Sequence, residues 1–182
     1  EMVSGGLVDE VHMVIEIESE SQFINLSSFG RLVGNKIVEC LSGDEEGELV
    51  SGVQIAVNEG LLVADQVSAS VVVLALKGEL AVVMARGYGS VGLWRNGKLG
   101  KILEAQRGLV FKTGKMHEKD VVVMGNSKFG MVVEYEKLLN VLEGVTEGKV
   151  EEGVKTAAER LVVEVERSGV SGAGCLLVGV GT

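Results

Sequence analysis

The amino-acid sequence predicts an α+β fold in which helices flank an antiparallel β-sheet. Runs of alternating or β-branched residues in the middle of the chain are typical of strands. Between two of these runs lies Asn96-Gly97, a dipeptide preferred at the tight turn of a β-hairpin. Segments before and after this region carry apolar residues at the spacing of amphipathic helices.

Composition and charge limit the function classes. With 182 residues, 46% hydrophobic and 24% charged, the sequence is typical of one globular domain spanning residues 1–182. The apolar run at residues 71–76 is shorter than the ~18 residues of a membrane helix, and no basic-then-apolar leader is present. We therefore expect a cytoplasmic protein without a membrane partner. The net charge of −9 argues against nucleic-acid binding.

The first third of the chain is predicted to contain one strand and two helices. Residues 11–17 alternate β-branched and polar positions, as a strand does. Residues 29–41 place their apolar side chains close to one helical stripe, and residues 49–67 fit a second helix that internal glycines weaken. The acidic residues 43–48 between them predict a solvated turn.

The middle of the chain is predicted to consist of hairpins. Residues 68–76 and 80–85 are apolar strands separated by a short turn, and residues 96–97 join two further strands. Because these four strands follow one another directly, we predict that residues 68–105 form a four-stranded antiparallel meander.

The last third is predicted to alternate strands and helices. Residues 121–124 and 175–180 are apolar strands, and residues 135–144 form a helix. Residues 150–169 form a longer helix ending at Gly169 as its C-terminal cap. The apolar face predicted for this helix consists of Val154, Ala157, Ala158, Leu161, Val162 and Val165.

Three glycines, Gly87, Gly89 and Gly92, have the G-x-G-x-x-G spacing of some phosphate-binding loops. A dinucleotide site requires a helix after the glycines, but a hairpin follows here. The Lys-Ser/Thr of a P-loop and the other protein-kinase motifs are also absent. We therefore expect bends between adjacent strands. The alternative is a nucleotide site, which predicts that the backbone N–H groups of residues 87–92 point into an open pocket.

Three segments resemble the PPM, or type 2C, serine/threonine protein phosphatases. Residues 68–102 are similar to the family's "GSTAVVALI" strand and "VANVGDSRAVLYRNGKL" hairpin. Residues 119–142 are similar to "GDLLLASDGLFDVLSDEEI", and residues 157–180 to the closing helix and "GSxDNxTVVVV" strand. The resemblance covers about residues 50–182. It implies an antiparallel β-sandwich, a pair of sheets flanked by helices.

Family chemistry implies aspartates that hold two Mg or Mn ions, which activate a water to attack phosphate. This sequence departs from the family at those positions. No Asp-Gly-His-Gly motif is present, residues 87–90 replace "GDSR", residues 125–127 replace "SDG", and residues 172–173 replace "DN". None of the four aspartates, Asp9, Asp44, Asp65 and Asp120, falls on a metal position of this alignment.

The departures predict a degenerate family member without a metal cofactor. Such a protein would act as a binding or regulatory module for a protein partner or phosphoprotein. The relic site is predicted to be lined by Arg86, Gly87, Tyr88, Gly89, Ser90, Gly125, Asn126 and Ser127. The alternative is an active phosphatase in which Glu16, Glu18 and Asp65 hold Mg or Mn.

Glu16, Glu18 and Glu20 have strand spacing, so their side chains are expected on one face of a sheet. Such a row could collect a cation. Because rows of this kind usually form the solvated side of a sheet, we expect that role here.

The remaining candidates for chemistry are few. His12 and His117 lack the neighbours of a catalytic triad, so surface or partly buried positions are expected. Cys40 and Cys175 are expected to be reduced thiols in the core. Trp94 and Tyr88 bracket the glycines and could form a contact surface, but Trp94 is expected in the core.

Overall fold

In the computed structural model, which describes residues 6–20, 25–43, 48–145 and 150–180, eight strands form two antiparallel sheets with helices on their outer faces. The strands are β1 (Glu10–Glu18), β2 (Ser68–Lys77), β3 (Leu80–Arg86), β4 (Gly89–Arg95), β5 (Lys98–Ala105), β6 (Leu109–Lys115), β7 (Val121–Gly125) and β8 (Cys175–Gly179). The helices are α1 (Leu26–Leu41), α2 (Leu49–Leu62), α3 (Ser127–Val132), α4 (Tyr135–Glu143) and α5 (Val150–Ser168).

The strands are ordered β1-β2-β3-β6 in the first sheet and β5-β4-β7-β8 in the second. The inner faces of the two sheets share a buried core that includes Leu74 of β2 and Met124 of β7. Helices α1 and α2 pack on the outer face of the first sheet, and α3, α4 and α5 pack on the outer face of the second. The predicted antiparallel β-sandwich flanked by helices is therefore confirmed.

Helix α1 shows how the sequence pattern produces this packing. Its side chains at Val33, Ile37 and Leu41 recur every four residues and are all fully buried. Burial of each such side chain stabilises the fold by about 1.5–3 kcal/mol. At the start of the helix, the Asn25 side chain accepts a hydrogen bond from the Ser28 N–H and caps the first turn.

The predicted four-stranded meander over residues 68–105 is wrong. Strands β2 and β3 belong to the first sheet, whereas β4 and β5 belong to the second. The chain crosses between the sheets at Gly87, where φ is +90° and an added Cβ would lie 2.3 Å from Ser70 Oγ. The hairpin at Asn96 and Gly97 is confirmed, since both residues have the positive φ values, 51° and 73°, of a type I′ turn.

Three further differences separate the prediction from the structure. The helix predicted over residues 49–67 ends at Leu62, and tight turns then lead to β2. Strand β6 and the short helix α3 were not predicted, because β6 is exposed on both faces and shows no buried stripe. In α5 the predicted apolar face is too wide, since Val162 is 55% exposed. Of the predicted turn at residues 43–48, residues 44–47 lie outside the described residues.

The other predicted strands and helices are confirmed within a few residues at their ends, including the positive φ of Gly169 after α5. No helix in the described part of the chain combines the length and apolar character needed to cross a membrane.

Candidate functional site

At one end of the sandwich, segments distant in sequence converge between the sheets. Glu16 of β1 lies opposite Ser70 of β2, whose hydroxyl oxygen accepts a hydrogen bond from the Tyr88 N–H at 3.1 Å. In the second sheet, Ser90 of β4 lies opposite Gly125, the last residue of β7. The structure thus brings both stretches of the predicted relic site, residues 86–90 and 125–127, to the same end of the fold.

Glu16 joins the two sheets at this end. Its side chain is buried, and its carboxylate accepts hydrogen bonds from the Ser127 hydroxyl at 2.8 Å and the Ser127 N–H at 3.3 Å. The expectation that Glu16 lies on a solvated face is wrong, because this face of β1 packs on the second sheet, as neighbouring Val14 shows. Further along the same row, Glu18 and Glu20 are exposed.

Lys128 places an ammonium group beside these carboxylates. Its Nζ lies 2.9 Å from Glu18 Oε1 and 3.7 Å from Glu16 Oε1. The hydrogen bond to Glu18, helped by the charges of both carboxylates, raises the pKa of Lys128 above its usual value despite the opposing effect of burial. The site therefore holds a fixed positive charge between two acidic side chains.

Asn126 connects the remaining segments. Its buried amide oxygen accepts hydrogen bonds from the Phe129 N–H at 3.0 Å and the Gly174 N–H at 3.1 Å. Its amide nitrogen donates to the Gly172 carbonyl oxygen at 2.6 Å. One side chain therefore caps α3 and anchors the loop before β8. Asn126 and Gly172, which replace family aspartates in the sequence alignment, are in direct contact.

The side chains at this end do not fit a pair of divalent cations. Such ions require several carboxylate oxygens, but Glu16 and Glu18 both face Lys128, and the Asn126 oxygen already accepts two hydrogen bonds. Asp65 is exposed in the turn after α2. Among the described residues, no three His, Cys, Asp or Glu side chains form a group that could hold a metal ion.

The side chains of residues 86–90 are directed to several different neighbours. The Arg86 guanidinium donates a hydrogen bond to Asn58 of α2. Tyr88 is 46% exposed, and its hydroxyl accepts a hydrogen bond from Arg107 at 3.4 Å. An added Cβ at Gly89 would lie 2.3 Å from Val72 Cγ2, so the glycine permits close packing of β4 on β2.

The nucleotide-binding alternative for the glycine motif is contradicted. The Gly87 N–H donates to the Gly108 carbonyl at 3.1 Å, and the Tyr88 N–H donates to Ser70. Gly89 pairs with β5, and from Ser90 onward the backbone pairs with strands on both sides. These N–H groups do not point into an open pocket, so the glycine spacing reflects the crossing between sheets.

The two histidines contact neighbouring carboxylates. His12 is partly buried on the edge strand β1, and its Nε2 lies 3.1 Å from a Glu10 carboxylate oxygen. His117 contributes its backbone N–H, which donates to Asp120 at 2.7 Å. His12 is partly buried and His117 is exposed, so both have the predicted surface or partly buried positions.

The cysteines and the tryptophan are packing residues. Cys40 and Cys175 form no disulfide and are partly buried against the outer hydrophobic clusters. Burial raises the pKa of the Cys175 thiol to about 11, so it is protonated at neutral pH and is a poor nucleophile. Trp94 is 1% exposed, which confirms its predicted place in the core.

Sequence reasoning missed two charged residues that organise the ends of the sandwich. One is Lys128. The feature of the sequence that could have indicated it is a single charged residue within the otherwise mostly apolar stretch after Asn126. The other is Asp120, whose carboxylate accepts hydrogen bonds from Arg95 at 2.7 and 2.5 Å at the opposite end. Burial alone would raise the pKa of Asp120, but hydrogen bonds from Arg95 and the His117 N–H lower it below its usual value.

No protein-family model matches the chain. No curated protein sequence matches it significantly.

Solved structures do match. The serine/threonine phosphatase PstP/Ppp from Mycobacterium tuberculosis is 11% identical, with a TM-score of 0.68 over 94% of this chain and 99% of that chain. The serine/threonine phosphatase from S. agalactiae is 9% identical, with a TM-score of 0.69 over 95% and 99% of the two chains. PppA from Pseudomonas aeruginosa, described as a key regulatory component of T6SS, is 12% identical, with a TM-score of 0.62 over 88% of each chain.

The catalytic domain of PstP has also been solved in complex with two manganese ions. These similarities cover nearly the whole chain, and the order of strands and helices agrees with the resemblance found in the sequence. The chain therefore has the fold of the PPM-type serine/threonine phosphatases.

Proposed function

We propose that this chain is a catalytically inactive relative of the PPM phosphatases that acts as a binding or regulatory module. The observation that carries the proposal is Lys128, whose ammonium group lies between Glu16 and Glu18 at the end of the sandwich where the relic-site segments meet. The residues that line the relic site, residues 86–90 and 125–127, then serve as structure and contact surface.

The ammonium group opposes a metal ion in two ways. It forms ion pairs with Glu16 and Glu18, the two carboxylates that a metal ion would need as ligands. It would also repel a divalent ion about 4 Å away by about 4 kcal/mol per unit of charge at an effective dielectric constant of about 20. Asn126 and Gly172 supply no negative charge, so a metal ion would depend on Glu16 and Glu18, which already face Lys128. The module is therefore proposed to work without a metal cofactor.

The proposed partner is a protein or phosphoprotein, bound in the cytoplasm. The description of PppA as a regulatory component supports a regulatory role for this fold. The net charge of −9 supports a protein partner over a nucleic acid.

A Mn²⁺ titration by calorimetry, run beside p-nitrophenyl phosphate turnover in the same buffer, tests this proposal. The wild-type chain is expected to show neither binding nor turnover. Lys128→Ala is expected to bind Mn²⁺ with a dissociation constant at least about tenfold below the detection limit that applies to the wild-type chain, because the competing charge is gone, but to remain inactive. Lys155→Ala, which removes an exposed lysine from α5, is the matched control and should behave as wild type.

Two results would overturn the proposal. Micromolar Mn²⁺ binding with turnover by the wild-type chain would support the active alternative and direct mutagenesis to Glu16, Glu18 and Asp65. A Lys128→Ala variant with no gain in Mn²⁺ affinity over Lys155→Ala would show that the ammonium group is not what keeps the metal out.

A further inference from the structure

Charge is distributed unevenly along the chain. Residues 86–119 contain eight basic and two acidic residues, a net charge of +6. The rest of the chain contains nine basic and 24 acidic residues, a net charge of −15. Residues 86–119 form strands β4, β5 and β6 with their connections. The positive charge therefore collects around β5 and β6, the neighbouring edge strands on one side of the two sheets.

Strand β6 is more exposed than β5, which contains the buried residues Leu103 and Ala105. Every residue from Val110 to Lys115 is exposed, whereas β1, at the other edge of the same sheet, contains the buried residues Val11 and Glu16. Within the described part of the chain, β6 pairs only with β3. An edge strand of this kind presents backbone N–H and C=O groups to which another strand can add.

Apolar side chains accompany this open edge. Phe111 is 48% exposed, Val110 is 36% exposed, and Leu80 at the end of neighbouring β3 is 51% exposed. Phe111 lies opposite Met84, so it extends the outer face of the first sheet beyond helices α1 and α2. An added strand would cover these side chains and remove apolar surface from water.

Two lysines flank the edge on its two faces. Lys112 lies opposite Val83, which faces the second sheet, and Lys115 lies opposite Leu80, on the other face of β3. Lys112 has no ion-pair partner among the described residues, and the Lys115 ammonium lies 3.8 Å from a mostly exposed Glu79 carboxylate. Both ammonium groups are therefore available to foreign carboxylates.

Three of the other cations nearby are already engaged by side chains, whereas Lys98 and Lys119, which form no ion pair among the described residues, lie outside β6. Arg95 is bound to Asp120, Lys101 to Glu104, and Arg86 to Asn58. Two available charges on one strand are few for a nucleic-acid backbone, which proteins bind by neutralising several phosphates. A second copy of this chain is also disfavoured, because two β6 edges would bring their lysines together.

We propose that the β6 edge surface (Leu80, Val110, Phe111, Lys112 and Lys115) binds an extended acidic segment of a partner protein by strand addition. The backbone of the segment pairs with β6, its apolar side chains cover Phe111 and Val110, and its carboxylates reach Lys112 and Lys115. This inference names the partner chemistry of the binding module proposed above and rests on that role.

Fluorescence anisotropy with short labelled peptides tests the proposal. The probe peptide repeats Glu-Glu-Val-Val, so that as a strand it presents a carboxylate and an apolar side chain on each face. A second peptide replaces each glutamate with glutamine, and a third keeps the charge but has a central proline that prevents strand pairing. The wild-type chain is expected to bind the probe at least about tenfold more tightly than either control peptide. Raising the salt from about 0.05 M to about 0.5 M should weaken binding of the probe.

Charge reversal locates the site. Lys112→Glu with Lys115→Glu is expected to weaken probe binding by about tenfold or more. Arg31→Glu with Lys155→Glu makes the same change in net charge on exposed positions of α1 and α5 and should leave binding unchanged. Thermal unfolding of both double variants shows whether each remains folded.

Several outcomes would overturn the inference. These are equal binding of the proline-containing peptide, equal losses in the two double variants, or no binding of the probe at all. Tighter binding of a single-stranded oligonucleotide than of the probe would favour a nucleic acid. A wild-type dimer in light scattering that Lys112→Glu with Lys115→Glu dissociates would identify a second copy as the occupant.

The two proposals fail separately. Mn²⁺-dependent turnover would contradict the inactive role and leave peptide binding at β6 unaffected. Loss of peptide binding with no turnover would contradict only the β6 inference.

Discussion

Strand β7 begins next to Asp120 and ends next to Asn126, and both residues are buried, but their partners come from different parts of the fold. Asp120 is held by Arg95 from the adjacent strand of the same sheet and by the N–H of His117. At the other end, Glu16 of the first sheet binds Ser127, which is 111 residues away along the chain. Arg95 also donates a hydrogen bond to the Lys115 carbonyl of the first sheet at 2.9 Å. The Asp120 carboxylate itself is satisfied within the second sheet and its adjoining loop, whereas the Glu16 carboxylate ties the two sheets together.

The two ends differ in how their charges are satisfied. At the Asp120 end, a bidentate guanidinium satisfies a single carboxylate, which is the usual arrangement for a buried ion pair. At the Asn126 end, two carboxylates, one ammonium group and one amide meet at the proposed relic site. Three experiments test whether the two ends differ in this way.

The largest effect is expected at the Asp120 end. Arg95→Ala would leave a buried carboxylate without its cation and should lower the free energy of unfolding by about 3 kcal/mol. Urea denaturation followed by circular dichroism measures the change. Lys98→Ala removes an exposed lysine opposite Arg95 and should change stability by less than about 0.5 kcal/mol. Equal stabilities for the two variants would show that Asp120 does not depend on its ion pair.

A smaller effect is expected at the Asn126 end. Glu16→Gln keeps the size of the side chain but removes the charge that Ser127 and Lys128 contact, and should cost about 2 kcal/mol in the free energy of unfolding. Glu18→Gln breaks an ion pair whose carboxylate is 56% exposed and should cost less than about 1 kcal/mol. If the second variant lost as much as the first, Glu16 would not be the link between the sheets.

The smallest effects distinguish the two ends by pH. The pKa of Asp120 is lowered from 3.8, so its contribution to stability is complete above that value and is lost as the pH falls below it. The pKa of Lys128 is raised from 10.5, so its contribution is complete below that value and is lost as the pH rises above it.

Variants that cannot titrate test this difference. Asp120→Asn should flatten the acid side of a stability-against-pH curve, and Lys128→Met should flatten the alkaline side, as measured by urea midpoints across the pH range. If Lys128→Met instead altered only the acid side, the lysine would not hold its carboxylates as described.

Sequence reasoning predicted local structure well and packing less well. Periodicity indicated most of the strands and helices, and Asn96-Gly97 indicated a hairpin that the structure contains. Periodicity did not indicate that β3 and β4 belong to different sheets. An apolar pattern predicts that a segment is a strand, but it does not specify which other strand pairs with it. Sequence reasoning also missed β6, whose two exposed faces show no periodicity.

The candidate site shows the same division. The sequence by itself determined that Glu16 and Glu18 share a strand face, that aspartates are absent from the family's metal positions, and that the chain resembles a phosphatase. Only the tertiary structure decided that this face is covered by a second sheet, which buries Glu16 and brings Lys128 between the two carboxylates. The physical reason is that strand alternation specifies which side chains lie together, whereas long-range packing specifies what lies against them.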